Sequence, residues 1–187
     1  DPGSDRFQEA LVRQITRSRR KVTIMFTDVE GSTTYWEKHG DVHGRLMVDL
    51  HNRLIVPIVK KFRGTVVKHV GDAIMASFGS PEKALKAAVG IQQILDRQRS
   101  RDGKFVPEVR IGIHTGKAVV EKQDVFGDMV NVASRVEGLN KHVGTQILAT
   151  GEVIEGFDDL FTRYLGDFVF VGKTEGPVFN EETDDIV

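Results

Sequence analysis

The sequence predicts an α+β fold in which helices pack on a mostly antiparallel sheet. Strand-like runs alternate with helical patterns along the chain. Two of these runs, residues 65–68 and 73–78, are joined by a short segment with the composition of a hairpin turn. A hairpin pairs its strands antiparallel. At 187 residues the chain is long enough for one hydrophobic core and short for two domains.

The start of the domain predicts a buried strand followed by a long helix. Residues 22–26 form a nearly continuous apolar run, typical of a strand inside a sheet, and the run ends at Asp28. Apolar residues at helical intervals predict a helix over 35–62, interrupted near Gly40. Gly64 is placed to end this helix as a C-cap.

The central third of the sequence predicts a hairpin, a helix and two strand pieces. Residues 69–72 form the hairpin turn, and Pro81 is placed at the first position of the next helix. Residues 109–114 alternate apolar with polar or small side chains, which indicates a strand. We expect a turn at Gly116, followed by a second strand piece at 118–120.

The last third predicts one more helix and further strands. Apolar residues at helical spacing over 129–139 indicate a helix that ends before Gly144, and residues 145–149 read as a strand. The pattern over 161–179 is rich in strand formers. Residues 181–187 read as a frayed tail.

Composition limits the functional classes. Positive and negative side chains cancel to a net charge of -1, which argues against nucleic-acid or membrane binding by charge alone. The absence of cysteine excludes disulfides and thiolate catalysis and fits a reducing compartment. No apolar run approaches the roughly 20 residues of a spanning helix. We therefore expect a cytoplasmic fragment without membrane contact, although a full-length protein could carry an anchor.

The N-terminal 20 residues are expected to lie outside the domain, which we assign to residues 21–187. Residues 1–4 resemble a cloning remnant or an unstructured end. Phe7, Leu11 and Ile15 then recur at helical spacing among charged residues. This pattern is compatible with a solvated helix end, which is the simpler reading, or with the stub of a coiled coil that connects to an upstream sensor.

Two aspartates are candidates for metal binding. Asp28 follows the first predicted strand, and Asp72 lies in the hairpin turn. Magnesium prefers oxygen ligands, and two carboxylates with substrate phosphates form its usual site. A pair of such ions can activate an attacking oxygen and stabilise a leaving one. Taken alone, each aspartate is more typical of an ordinary structural role, since Gly-Asp is common in turns.

Four segments occur in a recognisable order: FTDVEGST at 26–33, KHVGDA at 68–73, RIGIHTG at 110–116 and FGDMVNVASR at 126–135. They resemble the motifs of the class III adenylate and guanylate cyclase catalytic domains, and the resemblance spans residues 22–179. It implies a ferredoxin-like, palm-like sheet with helices packed on it. It also implies two Mg²⁺ or Mn²⁺ ions per site.

The resemblance assigns one group of residues to the metals and the triphosphate. Glycine-rich turns and helix N-termini present N–H groups to phosphate oxygens, which gives this assignment a physical basis. The implied metal ligands are Asp28, Val29 and Asp72, and the implied triphosphate contacts are Arg110, Gly31, Ser32 and Thr33.

A second group is implied to bind the nucleoside and the reacting phosphate. Asn131 would orient the ribose, and Arg135 would neutralise charge developing on the α-phosphate. Lys68 and Asp124 occupy the base-reading positions. Lysine can donate to N1 of adenine, and aspartate can accept from its amine. Guanine presents the reverse pattern, and an unmatched buried group costs roughly 1–3 kcal/mol, so ATP is the expected substrate.

One position departs from the family pattern. The family's Lys-Gly near the last strands, whose lysine helps to bind the triphosphate, aligns with Val171-Gly172. Lys173, two residues further on, is the candidate replacement.

The predicted function is an adenylate cyclase that converts ATP to cyclic AMP and pyrophosphate. In the family the two groups of residues come from different subunits, so we expect a homodimer with shared sites and an upstream regulatory domain in the full-length protein. A guanylate cyclase and a noncatalytic nucleotide-binding regulatory domain remain as alternatives.

Overall fold

The computed structural model describes residues 2–102, 106–122, 124–157, 162–168 and 184–186. The helices are α1 (Pro2–Arg17), α2 (Ser32–Lys61), α3 (Pro81–Asp102), α4 (Asp128–Val143) and α5 (Gly151–Ile154). The strands are β1 (Arg19–Val29), β2 (Thr65–Val70), β3 (Ala73–Phe78), β4 (Val109–Glu121), β5 (Asp124–Phe126), β6 (Ile147–Ala149), β7 (Gly166–Phe168) and β8 (Asp184–Ile186).

Most of the described strands form one sheet in the order β2-β3-β1-β4-β5, and all neighbours along this path are antiparallel. The short strand β6 pairs with β4 in parallel. Strands β7 and β8 form a separate antiparallel pair. The predicted α+β class, with helices on a mostly antiparallel sheet, is therefore confirmed.

The core lies on both faces of this sheet because strand side chains alternate between faces. Met25 of β1 and Ile111 of β4 pack with buried residues of α2 and α3 on one face. Ile24 of β1 and Ala118 of β4 pack with Met129 of α4 on the other. Helices α2 and α3 therefore cover one face of the sheet, and α4 covers the other.

Strands β1 and β4 are longer than the sequence pattern predicts. Asp28 lies within β1, opposite Arg110, rather than after the strand. The predicted turn at Gly116 is wrong, because Gly116 pairs with Val22 in a continuous strand. A Cβ on Gly116 would lie 3.0 Å from the Met129 Cβ atom, so the glycine serves the close approach of α4.

The ends of α2 follow the prediction with one correction. The interruption is confirmed at Gly40, which has φ 76°. At the C-terminus Arg63, not Gly64, adopts the left-handed conformation, with φ 58°. Gly64 is required for a different reason: a Cβ there would lie 2.4 Å from the Phe78 ring.

The two ends of the described chain also differ from expectation. Helix α1 begins at Pro2, so residues set aside as a cloning remnant are helical, and β1 begins at Arg19, ahead of the expected boundary. Residues 184–186 of the predicted frayed tail pair with β7 as a strand.

Candidate active site

Asp72 lies close enough to Asp28 to raise the pKa of the Asp28 carboxyl. Burial raises the pKa of Asp28 to about 6, and the charge of Asp72 adds to this rise. The Val29 N–H, Arg110 and Lys141 oppose it, because a hydrogen bond and positive charges favour the carboxylate. The strand β1 and the β2–β3 hairpin therefore bring the two predicted metal ligands together.

This pair of carboxylates has the properties of a cation site. The Oδ2 atom of Asp72 is buried and has no hydrogen-bond partner among the described residues. A buried unpaired carboxylate oxygen is costly, and a divalent cation would satisfy it. The described residues contain no group of three or more His, Asp or Glu side chains able to hold a metal ion.

Arg110 projects beside the aspartates but is held by another residue. Its Nη2 atom lies 2.5 Å from Oε1 of Glu30. The Glu30 backbone is fixed in turn, since its N–H donates to the carbonyl of Glu108. The Arg110 side chain is only 18% exposed, so it has a defined position at the edge of the site.

The predicted phosphate-binding turn connects β1 to α2. Gly31 adopts a left-handed conformation with φ 68°, and the first intrahelical bond runs from the Tyr35 N–H to the Gly31 carbonyl. The three N–H groups before Tyr35 are thus not used by the helix. Ser32 and Thr33 line the same cleft as Asp72, with a volume of about 710 Å³. The structure therefore places the turn beside Asp72, one of the two predicted metal ligands.

The two predicted base-reading residues lie on β2 and β5, the strands at the opposite ends of the strand order. Lys68 of β2 and Asp124 of β5 lie 3.8 Å apart and are roughly half exposed. The sheet is curled enough for β2 to meet β5, since Val67 packs in one cluster with Val120 and Val125. Lys68 and Asp124 consequently share one cleft.

This base cleft is distinct from the metal cleft, and no described residue lines both. Lys68 lines the first cleft, whereas the next residue, His69, lines the second together with Asp72. Successive side chains of a strand point to opposite faces. Lys68 and Asp72 of one chain therefore face different clefts.

The predicted site residues on helix α4 also point away from the Asp28 and Asp72 of the same chain. Asn131 and Arg135 are one turn apart and share a face. Glu137 lies about 200° around the helix from Arg135. Its carboxylate interacts electrostatically with Asp28 and Arg110 of the same chain. Asn131 and Arg135 are therefore directed away from the chain's own metal pair.

The Arg135 guanidinium has a nitrogen atom that finds no partner in the described part of the chain. Its Nη1 atom is buried and lacks a hydrogen-bond partner there. An unpaired guanidinium N–H is unfavourable when dehydrated. A phosphate arriving from outside the chain would satisfy it, and Asn131, which is exposed, lies on the same face to contact the rest of that ligand.

Sequence reasoning missed Glu137. Burial raises its pKa to about 7, with a further rise from Asp28. The helix is pressed so closely against β4 that a Cβ on Gly112 would lie 2.1 Å from the Glu137 backbone nitrogen. No local pattern could reveal this contact, because it depends on how α4 docks on the sheet.

His51 of α2 was also missed. It is fully buried, and its Nε2 atom lies 3.4 Å from the hydroxyl of Thr27, the neighbour of Asp28. The same hydroxyl accepts a bond from the Ile74 N–H, so α2, β1 and β3 are joined beneath the aspartates. Once α2 is known, the helical spacing predicts that His51 faces inward. It does not predict that Thr27 is its partner.

Lys173, the candidate triphosphate lysine, lies outside the described residues, as do Val171 and Gly172. Its assignment stays a prediction.

The sequence matches the family described as "Adenylate and Guanylate cyclase catalytic domain" over residues 15–175. The chain belongs to this family. The family resemblance predicted from the sequence motifs is therefore confirmed.

Curated relatives include adenylate cyclases. Adenylate cyclase 1 of Rhizobium meliloti is 34% identical over 76% of this chain and 24% of its own length. The adenylate cyclase of Anabaena cylindrica is 35% identical over 73% of this chain and 31% of its own length. The chain thus spans less than a third of these relatives.

Solved structures share the fold. An adenylate/guanylate cyclase/hydrolase from Silicibacter pomeroyi superposes with a TM-score of 0.72 at 27% identity, covering 90% of this chain and 95% of that one. A bacterial light-regulated adenylyl cyclase gives the same TM-score at 20% identity, covering 90% and 88%. Within the described residues, none of the helices has the length and apolar character needed to span a bilayer.

Proposed function

We propose that this domain is an adenylate cyclase that forms cyclic AMP and pyrophosphate from ATP at two sites shared between identical subunits. The observation that carries the proposal is the division of one chain into two half-sites. One half-site holds the paired carboxylates of Asp28 and Asp72. The other holds Lys68 and Asp124 in a separate cleft.

The first half-site would hold the metals and the triphosphate. Asp28, Asp72 and the Val29 carbonyl would bind two Mg²⁺ or Mn²⁺ ions, which supply Lewis-acid charge at the reacting oxygens. Phosphate oxygens would be received by Gly31, Ser32 and Thr33, of which Ser32 and Thr33 have backbone N–H groups that the helix does not use. Arg110 would exchange Glu30 for the triphosphate, a stronger anionic partner.

The second half-site would orient the nucleoside and stabilise the reacting phosphate. Lys68 donates to N1 of adenine, and Asp124 accepts from the exocyclic amine. Asn131 orients the ribose so that its 3′-oxygen lies in line with the α-phosphorus and the leaving pyrophosphate. Arg135 neutralises charge that develops on the α-phosphate, a task suited to its planar fork of donors.

The direction of these side chains supports the proposal that sites are shared between subunits. Asn131 and Arg135 lie on the face of α4 opposite Glu137, which interacts with the chain's own metal pair. A twofold axis repeats each half-site, so two copies of the chain can form two complete sites. A single copy cannot bring both halves to one ATP molecule.

The test is product formation from each nucleotide. The purified chain would be incubated with ATP or GTP and Mn²⁺ or Mg²⁺, and cyclic AMP and cyclic GMP would be measured over a range of protein concentrations. We expect cyclic AMP as the main product and a specific activity that rises with protein concentration. Preferential turnover of GTP would identify a guanylate cyclase, and no product from either would identify a noncatalytic domain.

A further inference from the structure

Helix α1 ends against the base cleft, the cleft that contains Lys68 and Asp124. The Val120 N–H of β4 donates to the Ser18 carbonyl at 3.0 Å. The next residue, Arg19, begins β1 and pairs with Val119. These backbone bonds hold the last turn of α1 at the end of β4, where the connection to β5 begins.

Gln14 in the last turn of α1 and Ser18, the residue after the helix, line the base cleft, which has a volume of about 640 Å³. The Ser18 hydroxyl donates to the Gln14 backbone carbonyl at 3.4 Å, so it is already engaged. The Gln14 side-chain amide makes no hydrogen bond within the residues that the structure describes. A group that can both donate and accept is therefore available at the wall of the cleft.

Adenine has hydrogen-bonding groups that Lys68 and Asp124 do not use. Lys68 takes N1, and Asp124 takes one proton of the exocyclic amine. The second amine proton and N7 remain, side by side on the other edge of the base. A glutamine amide matches this edge, because its oxygen accepts from N6 while its nitrogen donates to N7. Guanine presents a carbonyl oxygen beside N7, which would face the amide oxygen unfavourably.

We infer that Gln14 is a third base-reading residue, which contacts the N6/N7 edge of adenine from the N-terminal helix. This inference rests on the proposed function, since it takes Lys68 and Asp124 as the residues that hold the base. It makes α1 part of the substrate site rather than only a connection to a preceding region. Gln14 lies far along the base from the reacting phosphate, so its contact acts on binding and not on the chemical step.

The experiment compares ATP with 7-deaza-ATP, which has a C–H group in place of N7. Gln14→Glu keeps an acceptor for the amine and loses the donor to N7, whereas Gln14→Ala loses both. Gln8→Ala is the matched control, because Gln8 lies on the same helix, is exposed and does not line the cleft. Gln14 is itself exposed, so the variants should fold, which circular dichroism would verify.

We expect both Gln14 variants to raise KM for ATP by about 3- to 10-fold with kcat unchanged, as for loss of a contact made equally in the ground and transition states. Gln14→Glu should not raise KM for 7-deaza-ATP further, because the lost donor has no partner there. Gln8→Ala should match the unaltered chain with both nucleotides.

Equal KM changes for ATP and 7-deaza-ATP in Gln14→Glu, or an unchanged KM for ATP in Gln14→Ala, would overturn the inference while leaving the proposed function intact. Absence of cyclic AMP from the unaltered chain would instead overturn the proposed function, and the inference with it.

Discussion

Asp28 carries an energetic penalty in the metal-free protein. Burial and the neighbouring Asp72 raise its pKa from 3.8 to about 6. The folded protein thus holds a proton that the unfolded chain has lost, and stability falls as pH rises through this window. The penalty is complete above about pH 6. A carboxylate that is unfavourable without a cation is suited to binding one.

Asp28→Asn should therefore raise the melting temperature of the metal-free protein by a few degrees at pH 8 and leave it nearly unchanged at about pH 3, which lies below the pKa of this carboxyl in both the folded and the unfolded state. Added Mg²⁺ should stabilise the unaltered chain at pH 8 and not the variant. The measurement is thermal unfolding in EDTA or Mg²⁺, with Asp96→Asn as a surface control. A variant that is less stable than the unaltered chain at pH 8 in EDTA would contradict this account.

The Glu30–Arg110 ion pair satisfies a charge that would otherwise be unfavourable, as a cation would at Asp28. Arg110 is mostly buried and needs an anionic partner, which Glu30 supplies while no nucleotide is present. The pair keeps the guanidinium close enough to Asp28 to lower the pKa of that carboxyl. A positive charge is thus held in a defined position near Asp28.

Helix α4 is the element on which the geometry of both half-sites depends. Its contact with β4 at Gly112 sets the depth of the helix, and the Asn140 side chain fixes its rotation by donating to the Ile111 carbonyl at 3.0 Å. Glu137 is thereby directed to the chain's own aspartates. Asn131 and Arg135 are directed to the opposite side.

Gly112→Ala should displace α4, because a Cβ would lie 2.1 Å and 2.4 Å from backbone atoms of Glu137 that cannot move independently of the helix. We expect a loss of roughly 1–3 kcal/mol in the free energy of unfolding. Activity should fall further than stability alone explains, since Arg135 would shift with the helix. Denaturant unfolding and turnover of ATP measure the two effects.

Gly138→Ala is the control on the same helix. A Cβ at Gly138 meets no atom within 4 Å, and alanine favours a helix by up to ~1 kcal/mol over glycine. This variant should be as stable as the unaltered chain or more so. If both substitutions have the same effect, close packing at Gly112 is not what positions α4.

At the scale of the whole molecule, the separation of the two clefts predicts that two subunits must combine to form each site. Asp28→Ala and Arg135→Ala should each be inactive alone, because each damages one half of every site. When the two are mixed and exchange subunits, each mixed dimer contains one intact site and one doubly damaged site. Random exchange should restore about a quarter of the unaltered activity.

A mixture of Asp28→Ala with Asp72→Ala provides the control for this experiment. Both substitutions fall in the same half-site, so every site of a mixed dimer contains one damaged metal pair and no recovery is expected. Cyclic AMP production over time after mixing is the measurement. Recovery in the control mixture, or none in the first, would rule out sharing in the proposed arrangement.

The local pattern of residues was sufficient to predict the hairpin at 65–78, the interrupted helix α2 and the helix that carries Asn131 and Arg135. These features depend on side-chain periodicity and turn chemistry within short segments. It also predicted that Asp28 and Asp72 act together, because the motifs around them resemble those of the cyclase family.

Other features required the tertiary structure because they arise from contacts between distant segments. Gly116 looked like a turn, yet it lies within a strand because β1 pairs along its full length and Met129 packs against it. The approach of Lys68 to Asp124 depends on the curl of the sheet, and the proximity of Glu137 to Asp28 depends on the docking of α4. A residue pattern indicates which side chains are buried. Which distant residues those side chains contact is determined only when the helices and strands pack together.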